Sequence, residues 1–184
     1  MNLSLVLKDK TDISHQQLEK LLVGKLKSIA VEADYIEILK KFYGYIKPLE
    51  ERISKNLDIN KVPDYPERRK SDALELDLQY FNTTSDVSLC DDLPVVTNTY
   101  EAIGALYVLE GSTLGGTIIS KMVSAKLGLS ASEGLSFFYS YGSETMKMWE
   151  QFKIALNTRV AEEDWNMVII GADETFIKFR NWLE

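Results

Sequence analysis

The chain has 184 residues, 45% of them hydrophobic and 27% charged, enough for one well-packed domain of ordinary globular composition. Its formal net charge of -7 at pH 7 argues against a nucleic-acid footprint, which needs clustered Lys and Arg to displace counterions. The one cysteine, Cys90, allows no intrachain disulfide and no cysteine-based metal cluster, and it reads as an inert thiol.

The opening MNLSLVLKDK has an apolar stretch too short for a signal-peptide core, and no segment reaches about 18 apolar residues without a charge. The expectation is a cytoplasmic protein without a membrane anchor. DKTDISHQQLEKLLVGKLKS then places Leu18, Leu22 and Leu26 four apart, with Thr11 and Asp12 suited to a helix entry that could also lie one turn earlier. ADYIEILKKFYGYIKPLEERISK repeats Ile36, Leu39, Phe42 or Tyr43, and Ile46 at helical spacing, and Pro48 predicts a bend or a restart. RRKSDALELDLQYF carries Leu74, Leu78 and Phe81 on one face. After a polar connection around Cys90 and Pro94, NTYEAIGALYVLEGSTLGGTIISKMVSAKLG opens with Asn98 and Glu101, spaced as an N-cap with its reciprocal acid, and closes at Gly128. SETMKMWEQFKIALNTRV and DWNMVIIGADETFIKFRNWL supply the last two long helices. Sustained period-two alternation, hairpin dipeptides and internal repeats are all lacking, so the expected fold is all-α, a single domain over residues 1–184.

The stretch YVLEGSTLGG puts Gly111, Gly115 and Gly116 inside a helix, where each glycine costs roughly 1 kcal/mol relative to alanine. At 100° per residue, Gly104, Tyr107, Val108, Gly111, Gly115, Ile118 and Met122 share one band, almost bare backbone at its middle. Two readings are open. The glycines permit tight helix packing or a kink, or they admit a flat, rigid ligand against the main chain.

His15 is the only histidine. Leu18, Glu19 and Leu22 follow at i+3, i+4 and i+7, which places it at the margin of a buried stripe, where a merely packed or half-exposed residue is one reading. Its uniqueness excludes chemistry. No Gly-x-Ser-x-Gly elbow exists for a hydrolase triad, and one histidine cannot supply a di-iron carboxylate bundle or a multi-histidine zinc site. One histidine alone can give a single axial bond to an iron whose other ligands are non-protein, as in haem.

These features meet in a resemblance. LKDKTDISHQQLE, DALELDLQYF and LYVLEGSTLGG are similar, in that order, to the proximal helix, a central structural helix and the distal helix of haem oxygenases, especially the soluble bacterial, bacteriophytochrome-associated type. The similarity spans nearly the whole domain, and LYVLEGSTLGG is its most specific block. It implies a helical bundle with a kinked, glycine-rich distal helix, and an enzyme that uses haem, O2 and reducing equivalents to give biliverdin, CO and ferrous iron. By the same resemblance His15 is the proximal iron ligand, flanked on its helix by Thr11 and Glu19, and haem is both substrate and cofactor. Gly111 and Gly115 match distal glycines that let backbone lie over the haem. Lys8 matches a basic residue that pairs with a propionate, Tyr107 a position that contacts a propionate by hydroxyl, and Phe176 an aromatic of the pocket wall.

Ser112 stands where animal enzymes carry an aspartate that organises distal water; bacterial members often have serine there. Lys147 and Lys153 are offered by the penultimate helix, and Ile154 falls near a position that is arginine in animal enzymes. The implied partners are haem, O2, an electron donor such as a ferredoxin or a reductase, and a phytochrome that accepts biliverdin, with no nucleic acid and no membrane. A non-catalytic haem carrier or sensor on the same scaffold is the alternative, and a helical interaction domain that binds no haem is a third reading.

Overall fold

Asn2 opens α1 (Leu3–Lys10) by accepting a hydrogen bond from the Ser4 amide at 3.2 Å, and the chain turns at Thr11 into α2 (Asp12–Lys27). The computed structural model describes residues 2–84, 87–130 and 133–184. Thr11 N–H donates to the Leu7 carbonyl at 3.0 Å and His15 N–H to the Thr11 carbonyl at 2.9 Å, so hydrogen bonding crosses the junction although Thr11 leaves helical geometry at φ -103°. Lys8 belongs to α1 and His15 to α2, and a one-residue break separates their helices.

The second helix of the reading, α3 (Glu32–Asn56), runs unbroken through Pro48. The expected restart does not occur, because the carbonyl that proline leaves without a helical donor, that of Gly44, accepts the Cys90 amide at 2.8 Å. A side chain at Gly44 would run into the Ser88 carbonyl, so this glycine is the seat on which the incoming loop rests. Leu39, Phe42, Ile46, Leu49 and Ile53 fill the core from this helix. In α4 (Asp72–Tyr80) Leu74 and Leu78 are fully buried, and Phe81, just past its end, is half-buried. Asp77 lies between them, also buried, and accepts from the Ser136 and Phe137 amides at 2.6 and 2.9 Å. Those amides belong to α6 (Ser136–Tyr139), reached after the longest helix. Burial pushes the Asp77 carboxyl above its usual pKa despite these two bonds.

The longest helix is α5 (Thr99–Leu127). Asn98 caps it by accepting from the Tyr100 and Glu101 amides at 2.9 and 3.0 Å. The reciprocal bond differs from the expected box: Glu101 accepts from the amide and hydroxyl of Thr97, one residue before the cap. Gly128 ends the helix in the left-handed region at φ 71°, its amide bonded to the Ser124 carbonyl. The helix is continuous, but Ser112, Thr113, Thr117 and Ser120 each donate a hydroxyl to the carbonyl three residues back, a bond type that bends helices.

The last long helices are α7 (Thr145–Arg159) and α8 (Trp165–Leu183). α5 and α8 run side by side in the same direction: Tyr100 pairs with Asp164, and Gly104 meets the Val168 carbonyl and the Ala172 amide. A methyl on Gly104 would run into α8, and one on Gly171 would run into Glu101 of α5. Mutual bare backbone is what lets these two helices approach. By length and composition α5 could cross a bilayer, but 56% of its apolar window is buried inside the protein, as expected of a core helix. Among the described residues there is no strand, and the elements surround one hydrophobic core.

Candidate functional site

The glycines of α5 divide into two functional kinds. Gly104 packs on α8, and a methyl at Gly116 would lie 2.6 Å from the Phe138 carbonyl oxygen. Gly115 differs: a methyl there meets no atom within 4 Å, and one at Gly111 meets only the edge of the Trp149 ring at 3.7 Å. The single band read from the sequence is therefore corrected. Its first part, Gly104, Tyr107 and Val108, is buried, and the open part begins at Gly111. Gly115 is exposed, and Ile118, one turn further on, is 70% exposed, so apolar surface continues the bare face.

His15 is exposed on α2 above buried Leu18 and half-buried Leu22. Its ring centroid lies 5.1 Å from that of Phe176 on α8, tilted by 38°. Next to it, the Ser14 hydroxyl donates to Asp173 Oδ1 at 2.5 Å, which ties α2 to α8. Among the described residues no side chain hydrogen-bonds the imidazole, and Glu19, one turn on, is exposed. Gly104 meets α8 at Val168, Gly171 and Ala172; Phe176, with His15 against it, lies one turn beyond Ala172, and Gly111 lies two turns beyond Gly104 on α5. Both regions singled out from the sequence thus lie on the C-terminal side of the α5–α8 contact.

The remaining candidates are placed as follows. Thr11 is buried and its hydroxyl donates to the Leu7 carbonyl at 2.8 Å, so it shapes the junction that leads into the His15 helix. Lys8 is exposed on α1. Tyr107 is buried with its ring 5.5 Å from that of Trp149, and burial pushes its phenol upward. Lys147 and Lys153 pair with Glu144 and Glu150, each at 2.8 Å, and Ile154 is exposed. A hollow of about 270 Å³ lined by Thr117, Ser120, Lys121 and Tyr139 contains none of these candidates. Among the described residues no three His, Cys, Asp or Glu side chains gather as a metal cluster.

Sequence reasoning missed a charged network behind the open face. Arg68, fully buried, donates to Glu110 Oε2 at 2.5 Å and to Asp64 Oδ2 at 2.6 Å, and Tyr141 donates to Glu110 Oε1 at 3.0 Å. Burial opposes the Arg68 charge, yet Glu110 and Asp64 outweigh it and hold its pKa above the usual value. Arg69 donates from Nη2 to the Ser112 hydroxyl at 2.7 Å and the Leu109 carbonyl at 2.8 Å, and from Nη1 to the Phe137 carbonyl at 3.1 Å. Burial lowers the Arg69 pKa, with Glu110 working against that shift. The sequence did hold a signal. Glu110 is a lone carboxylate in an apolar helix, and a buried charge requires a partner.

Fold and site together define an all-α protein that offers one exposed imidazole and a helix face of bare backbone. The family model for heme oxygenase matches residues 1–184, and the chain belongs to the haem oxygenase family, whose members are enzymes that degrade haem. A heme oxygenase of Xanthomonas campestris pv. campestris (strain 8004) is 28% identical over 161 residues, covering 83% of this chain and 91% of that protein. The fold matches that of the NO- and CO-bound heme oxygenase of Neisseria meningitidis with a TM-score of 0.84 at 24% identity, over 100% of this chain and 90% of that one. It also matches the heme oxygenase of Leptospira interrogans with a TM-score of 0.79 at 21% identity, over 100% and 98% of the two chains.

Proposed function

We propose that this chain binds haem between His15 and the Gly111–Gly115 face of α5 and converts it to biliverdin, CO and ferrous iron. The observation that carries the reading is the open space over Gly115, on the helix whose neighbour α8 holds Phe176 against the His15 ring. The residues present fit the group. An exposed imidazole that no side chain among the described residues hydrogen-bonds is available to a metal, and the exposed, uncovered backbone at Gly115 leaves room for a flat macrocycle to approach. Bound haem supplies the iron at which O2 and reducing equivalents act, as substrate and cofactor at once.

The chain's own residues then have distinct tasks. His15 holds the iron, and Phe176 packs against its ring to limit rotation. Glu19 supplies a carboxylate near the imidazole that tunes its donor strength. Thr11 fixes the entry of α2. Gly111 and Gly115 keep side chains away from the reacting face, and Ser112 places one hydroxyl beside it. Lys8 and Tyr107 serve the haem propionates, Lys8 by a charge-assisted bond. The proposed electron donor is a ferredoxin or a reductase, the proposed acceptor of biliverdin is a phytochrome, and the proposed compartment is the cytoplasm.

Aerobic turnover separates this reading from a haem carrier. Purified protein loaded with one equivalent of haem and supplied with a ferredoxin system or ascorbate is followed by absorption. Decay of the Soret band with growth of biliverdin absorption is expected. A Soret band that persists through repeated reduction in air would assign the chain to haem carriage instead.

A further inference from the structure

The Ser112 hydroxyl has one hydrogen and two lone pairs to give. The hydrogen goes to the Leu109 carbonyl at 2.7 Å, and one lone pair accepts from Arg69 Nη2 at 2.7 Å. One lone pair is left. A hydroxyl so held can meet a neighbour on the open face only as an acceptor. Arg69 is itself fixed by several bonds: Nη2 also reaches the Leu109 carbonyl, Nη1 reaches the Phe137 carbonyl, and the guanidinium lies 3.9 Å over the Phe137 ring. Its main-chain amide donates to the Tyr141 hydroxyl at 2.7 Å, and that hydroxyl donates to Glu110. The charged and titratable groups acting on it are Glu110, Glu50 and Tyr141.

We propose that Arg69 is a positioning residue that locks the Ser112 hydroxyl as a hydrogen-bond acceptor and delivers a fixed positive charge to the distal side through it. The proposal rests on the site reading above. It assigns Arg69, from the loop before α4, a role in setting how water is oriented beside bound haem: a water next to Ser112 can bond it only by donating a hydrogen to its oxygen. Lysine cannot reproduce the clamp, because a point ammonium lacks the planar fork that grips Leu109, Phe137 and Ser112 together.

The test is the pH midpoint of the acid-to-alkaline spectral transition of the ferric haem complex, measured in wild type, R69Q, R69K, S112A and the R69Q/S112A double variant. Thermal unfolding of each ligand-free protein runs alongside to establish that it is folded. A fixed cation favours the deprotonated form, so R69Q raises the midpoint by about one unit, a tenfold change, and R69K restores part of it. In the S112A background the effect of R69Q shrinks to less than a third, because the two residues act as one unit. An unmoved midpoint in R69Q, or an equal shift with and without Ser112, would overturn the proposal and leave Arg69 as a clamp on two carbonyls. A wild-type chain that forms no Soret complex would overturn the site reading itself.

Discussion

A methyl group added at Gly115 meets no atom within 4 Å, whereas the same group at Gly116 lies 2.6 Å from the Phe138 carbonyl oxygen. Neighbouring glycines therefore answer to different demands, and the difference is measurable. Gly115→Ala is expected to stabilise the ligand-free protein by about 0.5–1 kcal/mol, the usual gain of alanine over glycine inside a helix, while slowing biliverdin formation per bound haem. Gly116→Ala is expected to destabilise by about 1–3 kcal/mol through overpacking. Urea unfolding of both variants, with turnover of each haem-loaded protein, checks the pair. If Gly115→Ala is neutral in stability and also turns over at the wild-type rate, the open space at Gly115 serves no haem chemistry. The sequence band placed Gly104 and Gly115 on one face, which is correct for angle but blind to what stands opposite. Only the neighbours tell a packing glycine from an open one.

At the scale of elements, α5 carries a buried carboxylate, 2% exposed, in its apolar middle, directly before Gly111. Arg68, Tyr141 and Glu110 join the loop before α4 and the loop after α6 to this helix. Removing one partner strands a buried guanidinium, so Glu110→Ala should cost about 3–5 kcal/mol in chemical denaturation, with Glu110→Gln costing less because it keeps an acceptor. A loss under about 1 kcal/mol would mean that Asp64 alone satisfies Arg68. The helices themselves are legible in the sequence, because Leu74, Leu78, Leu39 and Ile46 repeat at helical spacing and are buried. Two features are not. The helix entry at Thr11 and Asp12 was legible, but the hydrogen bonds that carry α1 across it into α2 leave no trace in periodicity. The continuity of α3 through Pro48 depends on the Cys90 amide, a donor from a distant loop that no local pattern discloses.

For the whole molecule, the parallel pairing of α5 and α8 places the His15–Phe176 contact and the open glycines on the same side of one helix contact. Glycines on both helices close the contact, and Phe176 on α8 packs against the His15 ring. His15 and the glycine block were legible as candidates from scarcity and composition; how they lie relative to one another was not, since it depends on a register between helices about sixty residues apart in the chain. The Arg69 contact with Ser112 was hidden for the same reason, being a bond from a loop to a helix distant in sequence. The central claim, that haem is held by His15 beneath the bare face of α5, is tested most directly by the ferric and ferrous spectra of haem-loaded His15→Ala with and without added imidazole. The expected result is loss of the histidine-ligated spectrum, at least a tenfold fall in biliverdin formation, about 1.4 kcal/mol or more in barrier, and partial recovery of both when imidazole takes the place of the missing ring. A variant with the wild-type spectrum and the wild-type rate would contradict it.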